Sequence, residues 1–235
     1  GVHFVLRIPP ADSNSFAALS VKVSELDREV RQRRKAQKTA EEALEVNRLL
    51  TKELHHRVNN NLQLQVSLLR RSARASDNAE VHDFVQMAIG RIRSMSAGLD
   101  LIYRSGEGPG VEVEHLIVKL SSQIEETLPP GWQIGVTVES RFSLSTVQVA
   151  PLALIINEIA ADAVRRSPGR GGELRLICRF VDGAECLDNA QTDPAPPAAG
   201  SEARALIDTL ARQAGARIAY SETHPYQTRL VFERG

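Results

Sequence analysis

The rhythm of apolar and polar positions changes partway along the chain. From about Ser20 to Leu69 there is neither proline nor glycine, and alanine, glutamate, arginine, lysine and leucine dominate. These are good helix formers. The stretch predicts one or two long helices, the first part reading as a coiled-coil linker. "ARASDNAE" interrupts the pattern and offers Ser76 and Asp77 as N-caps. A second helix is expected from about Glu80 to Tyr103. Its apolar stripe is Phe84, Ala88, Ile92, Met95, Leu99 and Ile102, at spacings of three and four. "RSGEGPG" then forms a loop.

Helices and strands mix beyond that loop. His115 to Leu128 reads as a helix and "WQIGVTVE" alternates like a strand. "VQVAPLALIINEIAADAVRRS" is a helix stopped by "PGRGG". "ELRLICRFVDGAECLD" is a hairpin with Asp182-Gly183 at its turn. "DNAQTDPAPPAAG" reads as a loop, "SEARALIDTLARQAG" as a helix ending at Gly215, and "ARIAYSE" with "TRLVFE" as a second hairpin. At the other end "HFVLRI" is a strand candidate closed by Pro9 and Pro10. The fold class expected is α+β. A helical hairpin, a four-helix bundle when dimeric, precedes an α/β sandwich whose mixed sheet is covered on one face by helices. Expected domains are an N-terminal segment, 1–19, read as the remnant of an upstream domain; a linker and hairpin, 20–106; and an α/β domain, 107–235.

Periodicity also separates two adjacent histidines in "ELHHRVNNNLQLQ". With Leu54 as origin, a turn of roughly 100° per residue puts Leu50, Val58, Leu62, Val66 and Leu69 in one packing arc. His55 falls at about 100°, on the edge of that arc, and His56 at about 200°, nearly opposite its centre. Asn60 and Gln63 come at about 240° and 180°, beside His56. His56 is therefore the histidine expected to face water. A neutral imidazole is a good nucleophile near neutral pH. Asn60 or Gln63 could hold a water or a phosphoryl oxygen, and Arg57 could offset phosphoryl charge. The same geometry fits an ordinary surface histidine in a bundle. A shared metal ion is not expected, because adjacent side chains diverge by about 100° on a straight helix.

Composition narrows the classes. Lysine plus arginine and aspartate plus glutamate number 29 each, so overall charge makes no case for nucleic acid or an anionic membrane surface. The basic cluster Arg31, Arg33, Arg34, Lys35 and Lys38 is flanked by acids and reads as a solvated helix face. No apolar run approaches a membrane span of about 20 residues, no signal peptide is visible, and no direct membrane insertion is expected. Cys178 and Cys186 lack zinc spacing. The hairpin would place them nearly opposite each other, so a disulfide is open on geometry. A chain of this size needs no such staple, and a reduced, cytoplasmic protein is expected.

"LLTKELHHRVNNNLQLQVSLLRRSAR" resembles the phosphoacceptor helix of the type-2 dimerization and phosphoacceptor family of histidine kinases, whose pattern is close to "LHHRVKNNLQ". "RQRRKAQKTAEEAL" is similar to that family's linker. The resemblance makes His56, directly before Arg57-Val58, the phosphoacceptor. Asn59 stands where lysine is usual, at a position pointing off the reactive face. It also implies an ATP-binding domain of the kind shared with gyrase and the heat-shock chaperones. In "LALIINEIAADAVRRSPGRGGELRL" Glu158 is retained, and Asp162 replaces the magnesium-binding asparagine. In "DNAQT" Asp188 remains, but Ala190 and Thr192 stand where glycines belong. Ala203 replaces the glycine of the third motif. Each new Cβ obstructs the approach of backbone to adenine and phosphates. Aspartate for asparagine places more negative charge beside a triphosphate.

These departures lead to the expectation of a phosphorelay protein. His56 would pass phosphoryl groups between the aspartates of response-regulator receiver domains, in a homodimer, beside a decayed ATP domain and with no cofactor. Two alternatives stay open. One is an ATP-dependent kinase in which Glu158 assists proton transfer, Asp162 holds magnesium and Asp188 contacts adenine. The other is a non-catalytic scaffold that binds receivers.

Overall fold

In the computed structural model, residues 13–105, 110–167, 169–191, 198–221 and 227–232 are described. The expected strand at "HFVLRI" and the residue Thr192 lie outside them. The chain divides between Glu53 and Leu54 into two compact units. Helix α1 spans Ser13–Arg74. In the first unit its described side chains are exposed, and pairs one turn apart such as Asp27–Arg31, at 2.6 Å, line its surface. Leu19, Val23, Leu26 and Val30 stay exposed at alternating spacings of four and three.

The second unit begins with the rest of α1, which a short turn joins to α2 (Ala79–Ser105). The N-cap of α2 is Asn78, not Ser76 or Asp77: its Oδ1 accepts from the Glu80 N–H at 2.9 Å. The packing arc also needs correction. Only His55, Asn59, Leu62, Val66, Leu69 and Ala73 are shielded along this part of α1. Val66 and Ala73 form a small core with Val85 and Ile89 of α2. Leu54 (63% exposed), Val58 (43%) and Leu68 form a neighbouring stripe that remains open. A helical wheel defines an arc but cannot divide it between two partners. In α2 the buried set is likewise shifted, to Val85, Ile89, Ser94, Ala97 and Gly98, and Phe84 is exposed.

The α/β part is a five-stranded sheet in the order β2-β4-β5-β7-β6. Its strands are β2 Trp132–Val138, β4 Gly172–Val181, β5 Ala184–Gln191, β6 Ala216–Tyr220 and β7 Thr228–Phe232. Strands β2 and β4 are parallel; the other pairs are antiparallel. Helices α3 (Val113–Glu125), α4 (Thr146–Arg166) and α5 (Glu202–Gln213) contribute to one core with it. The short strands β1 (Val111–Glu112) and β3 (Ser143–Leu144) pair beside them. Leu174, Leu176, Leu187 and Leu230 supply the sheet's apolar face, and Leu152, Ile155, Ile156 and Ile159 the face of α4. The result is α+β, a helical region followed by a mixed sheet with helices on one face. Helix α4 is long and apolar enough to cross a membrane by length and composition, but 61% of its apolar window is buried in this core.

The hairpin turn forms at Asp182 and Gly183, both at positive φ (50° and 84°), as a two-residue turn of this type requires. Its register corrects two expectations. Asp188 to Gln191 belong to β5 and not to a loop, because β4 and β7 hydrogen-bond to that strand from either side. Cys178 pairs with Leu187 and Cys186 with Arg179. This one-residue offset sends the cysteines to opposite faces. Both are free and buried, and burial pushes the Cys178 thiol up to about 12. An aromatic-disulfide thiol reagent at pH 8 is expected to label neither cysteine in the folded chain and both in denaturant. Absence of labelling in denaturant would reveal a disulfide.

Candidate functional site

The two histidines on α1 meet different environments. The His55 side chain is 12% exposed. Its ring stacks on Tyr103 of α2, with centroids 4.5 Å apart and planes 12° apart. Asn59 Nδ2 lies 3.2 Å from His55 Nε2, and Ser96 Oγ donates to Asn59 Oδ1 at 3.1 Å. Asp100 stands 4.0 Å from the same ring nitrogen. A hydrogen bond from Lys119 holds the Asp100 carboxyl below its ordinary range. His55 Nδ1 is buried without a partner among the described residues. His56, one residue on, is exposed together with Arg57, Asn60 and Gln63. The two rings lie 6.0 Å apart at 63°, and no metal-binding cluster occurs among the described residues.

Asn59 therefore has a task that the sequence reading missed. Its amide bridges the inner histidine to α2. The signal was available in its spacing of four from His55 and three from Leu62, which puts it on the inner stripe.

The carboxylates expected around a nucleotide do not converge. Glu158 and Asp162 lie on α4, one turn apart. Asp188 lies on β5, paired with Ile177. Its neighbour Leu187 belongs to the core against the helices, so alternation along the strand turns Asp188 to the other face of the sheet.

Each of the three is also engaged by arginine. Glu158, 2% exposed, takes two hydrogen bonds from Arg91 of α2, at 2.8 and 3.0 Å. The hydrogen bond to Glu158 raises the Arg91 pKa above its ordinary value. Asp162 accepts from Arg166 Nε at 2.7 Å, and Arg166 Nη2 also reaches Gln191 Oε1 of β5 at 2.9 Å. Asp188, 1% exposed, takes two hydrogen bonds from Arg229 at 2.6 and 2.7 Å, with Arg179 at 3.4 Å.

Magnesium binds through carboxylate oxygens and substrate phosphates in near-octahedral geometry. Here the α4 carboxylates already serve guanidinium groups, whose charge opposes a second cation in the same place. These residues do not fit a magnesium–nucleotide site. The buried Ala190 and Ala203 keep their Cβ atoms where the resemblance calls for glycine. On the helix side of the sheet stand uncharged groups instead. The Asn189 amide and the Thr228 hydroxyl are buried there without partners among the described residues.

A family model described as histidine kinase matches residues 53–128. The matched stretch runs from the end of the first unit through α3. No curated protein matches the chain. Among solved structures, the histidine kinase domain of the Erythrobacter litoralis blue-light activated histidine kinase is 15% identical, with 76% of this chain and 87% of that chain covered and a TM-score of 0.49. A longer form of that kinase is 11% identical, covering 76% of this chain and 57% of that chain at 0.48. The Acinetobacter baumannii histidine kinase AdeS is 10% identical, covering 73% and 95% at 0.42.

Removing one partner of a buried ion pair leaves the other charge desolvated, at about 3 kcal/mol or more. Arg91→Ala is expected to lower the denaturant stability of the second unit by about that amount. A loss below about 0.5 kcal/mol, the range of ordinary surface substitutions, would show that the pair does not hold α2 to α4.

Proposed function

We propose that this chain is a histidine phosphotransferase of the two-component type, with an ATP-like domain that no longer uses nucleotide. One observation carries the reading: the exposed His56 stands on a histidine kinase-type helix, while Glu158 and Asp162 are committed to Arg91 and Arg166. The phosphoacceptor is retained and the groups that would serve ATP are not free to do so. The phosphoryl group then comes from a receiver domain.

In the step proposed, a ring nitrogen of His56 attacks the phosphorus of a receiver's aspartyl phosphate. The N–P bond forms, the P–O bond to aspartate breaks, and the aspartate carboxylate leaves. The reverse step, on a second receiver, discharges the histidine. Asn60 and Gln63 flank His56 to hold water or a phosphoryl oxygen, and Arg57 contributes positive charge. The helical hairpin within 20–106 is the dimerisation and transfer domain, and 107–235 is the degenerate ATP-like domain. The open stripe of Leu54, Val58 and Leu68 supports a homodimer, because pairing with a second copy makes a four-helix bundle that buries it. Receiver domains are the partners, no metal or nucleotide is required, and the setting is cytoplasmic. ATP-dependent autophosphorylation of His56 is the alternative, and a scaffold with inert His56 a further one.

A receiver phosphorylated with radiolabelled phosphate is expected to label the chain. The label is expected to vanish in His56→Gln and persist in His55→Gln. Labelling of the chain by radiolabelled ATP alone would support the kinase, and no labelling from any receiver would leave the scaffold.

A further inference from the structure

Between α2, the turn that follows α3 and the C-terminal half of α4 lies a cavity of about 740 Å³. That volume suits a small organic ligand. Neither His56 nor any of Glu158, Asp162 and Asp188 lines it, so it is separate from both sites described above. Its walls have two characters. Met87, Pro130 and Trp132 make an apolar side, with the indole of Trp132 buried at the cavity edge. Arg93, Arg165 and Arg170 supply cations, against Asp83 as the single acidic lining residue.

The charge balance points to an anion. Among the described residues neither Arg93 nor Arg170 has a side-chain hydrogen bond or ion pair. Arg165 donates to Met87 Sδ at 2.9 Å and stands 3.7 Å from Asp162, which leaves Arg93 and Arg170 as the cations open to a ligand. Arginines of this kind, facing an apolar wall, bind a planar anionic group while an aromatic body packs on the indole. Gly90 also lines the cavity, and a Cβ there would lie 3.0 Å from Asn157 Oδ1. The glycine thus keeps the α2 backbone close to the Asn157 amide and leaves that polar group at the cavity wall.

We propose that this cavity binds an amphipathic organic anion, with a flat apolar body against Trp132 and Met87 and a carboxylate, sulfonate or phosphate against Arg93 and Arg170. An occupant would touch α2 and α4 together and stiffen their junction. The proposal is independent of how His56 is used.

The probe is 1-anilinonaphthalene-8-sulfonate, with the uncharged N-phenyl-1-naphthylamine as its counterpart. Trp132 is the chain's one tryptophan, so quenching of its emission reports dye bound beside it. The sulfonate dye is expected to saturate one site per chain and quench Trp132, binding at least about tenfold more tightly than the neutral dye. The double variant Arg93→Gln/Arg170→Gln is expected to erase that difference while melting like the parent. Equal affinity for the two dyes in the unaltered chain overturns the proposal, whatever the variant does. So does sulfonate-dye binding that leaves Trp132 unquenched or survives the double substitution, as dye on the open Leu54–Val58 stripe would.

Discussion

Helix α2 has to satisfy two partners, and the paired charges of Arg91 and Glu158 fix how it does so. One face of α2 gives Val85 and Ile89 to α1. Another gives Ala97 to the core that includes α3 and α4. Between these faces Arg91 delivers two hydrogen bonds to a carboxylate that is almost wholly buried. A buried carboxylate without its cation is strongly unfavourable, so the position of α2 on α4 is specified by charge as well as by shape. Apolar packing alone would tolerate sliding; a two-pronged guanidinium–carboxylate contact has one geometry.

Two consequences reach the candidate chemistry. First, Glu158 is here an anchor for a helix. Asp162, one turn along α4, is engaged by Arg166, which also crosses to Gln191 on the sheet. Second, α2 presents Ser96, Asp100 and Tyr103 to the inner side of α1, where they surround His55 and Asn59. The inner histidine is thereby stacked and held. The outer one is left on the solvent side, beside Asn60 and Gln63. Adjacent residues on one helix thus separate into a structural histidine and an exposed one.

Much of this was legible in the sequence where local rules govern. The long helices follow from uninterrupted good helix formers, the β4–β5 turn from Asp182-Gly183, and the end of α5 from Gly215. His56 emerges as exposed from helical angles alone. What local rules do not contain is the choice of partner. The apolar arc of α1 is shared between an intramolecular stripe and an open one, and periodicity does not say where to divide it. "DNAQ" looks like a loop because Asp188 and Asn189 favour turns, yet β4 pairs along all of it and β7 with its first two residues. Asp188 reads as a neighbour of Glu158 by motif order, whereas strand alternation sends it to the other face of the sheet. Asp162 and Arg166 are one helical turn apart, a pairing that spacing does contain, but the arginines on the other two carboxylates come from far along the chain. Arg91 precedes Glu158 by 67 positions, and Arg229 follows Asp188 by 41. No spacing rule links them.

We infer that the carboxylates of α4 hold the fold together and do not serve magnesium and a triphosphate. The most direct test is calorimetric titration of the full chain with ATP in the presence of magnesium. No saturable heat is expected up to millimolar nucleotide. Micromolar, magnesium-dependent binding would contradict it and return the chain to the ATP-dependent kinases.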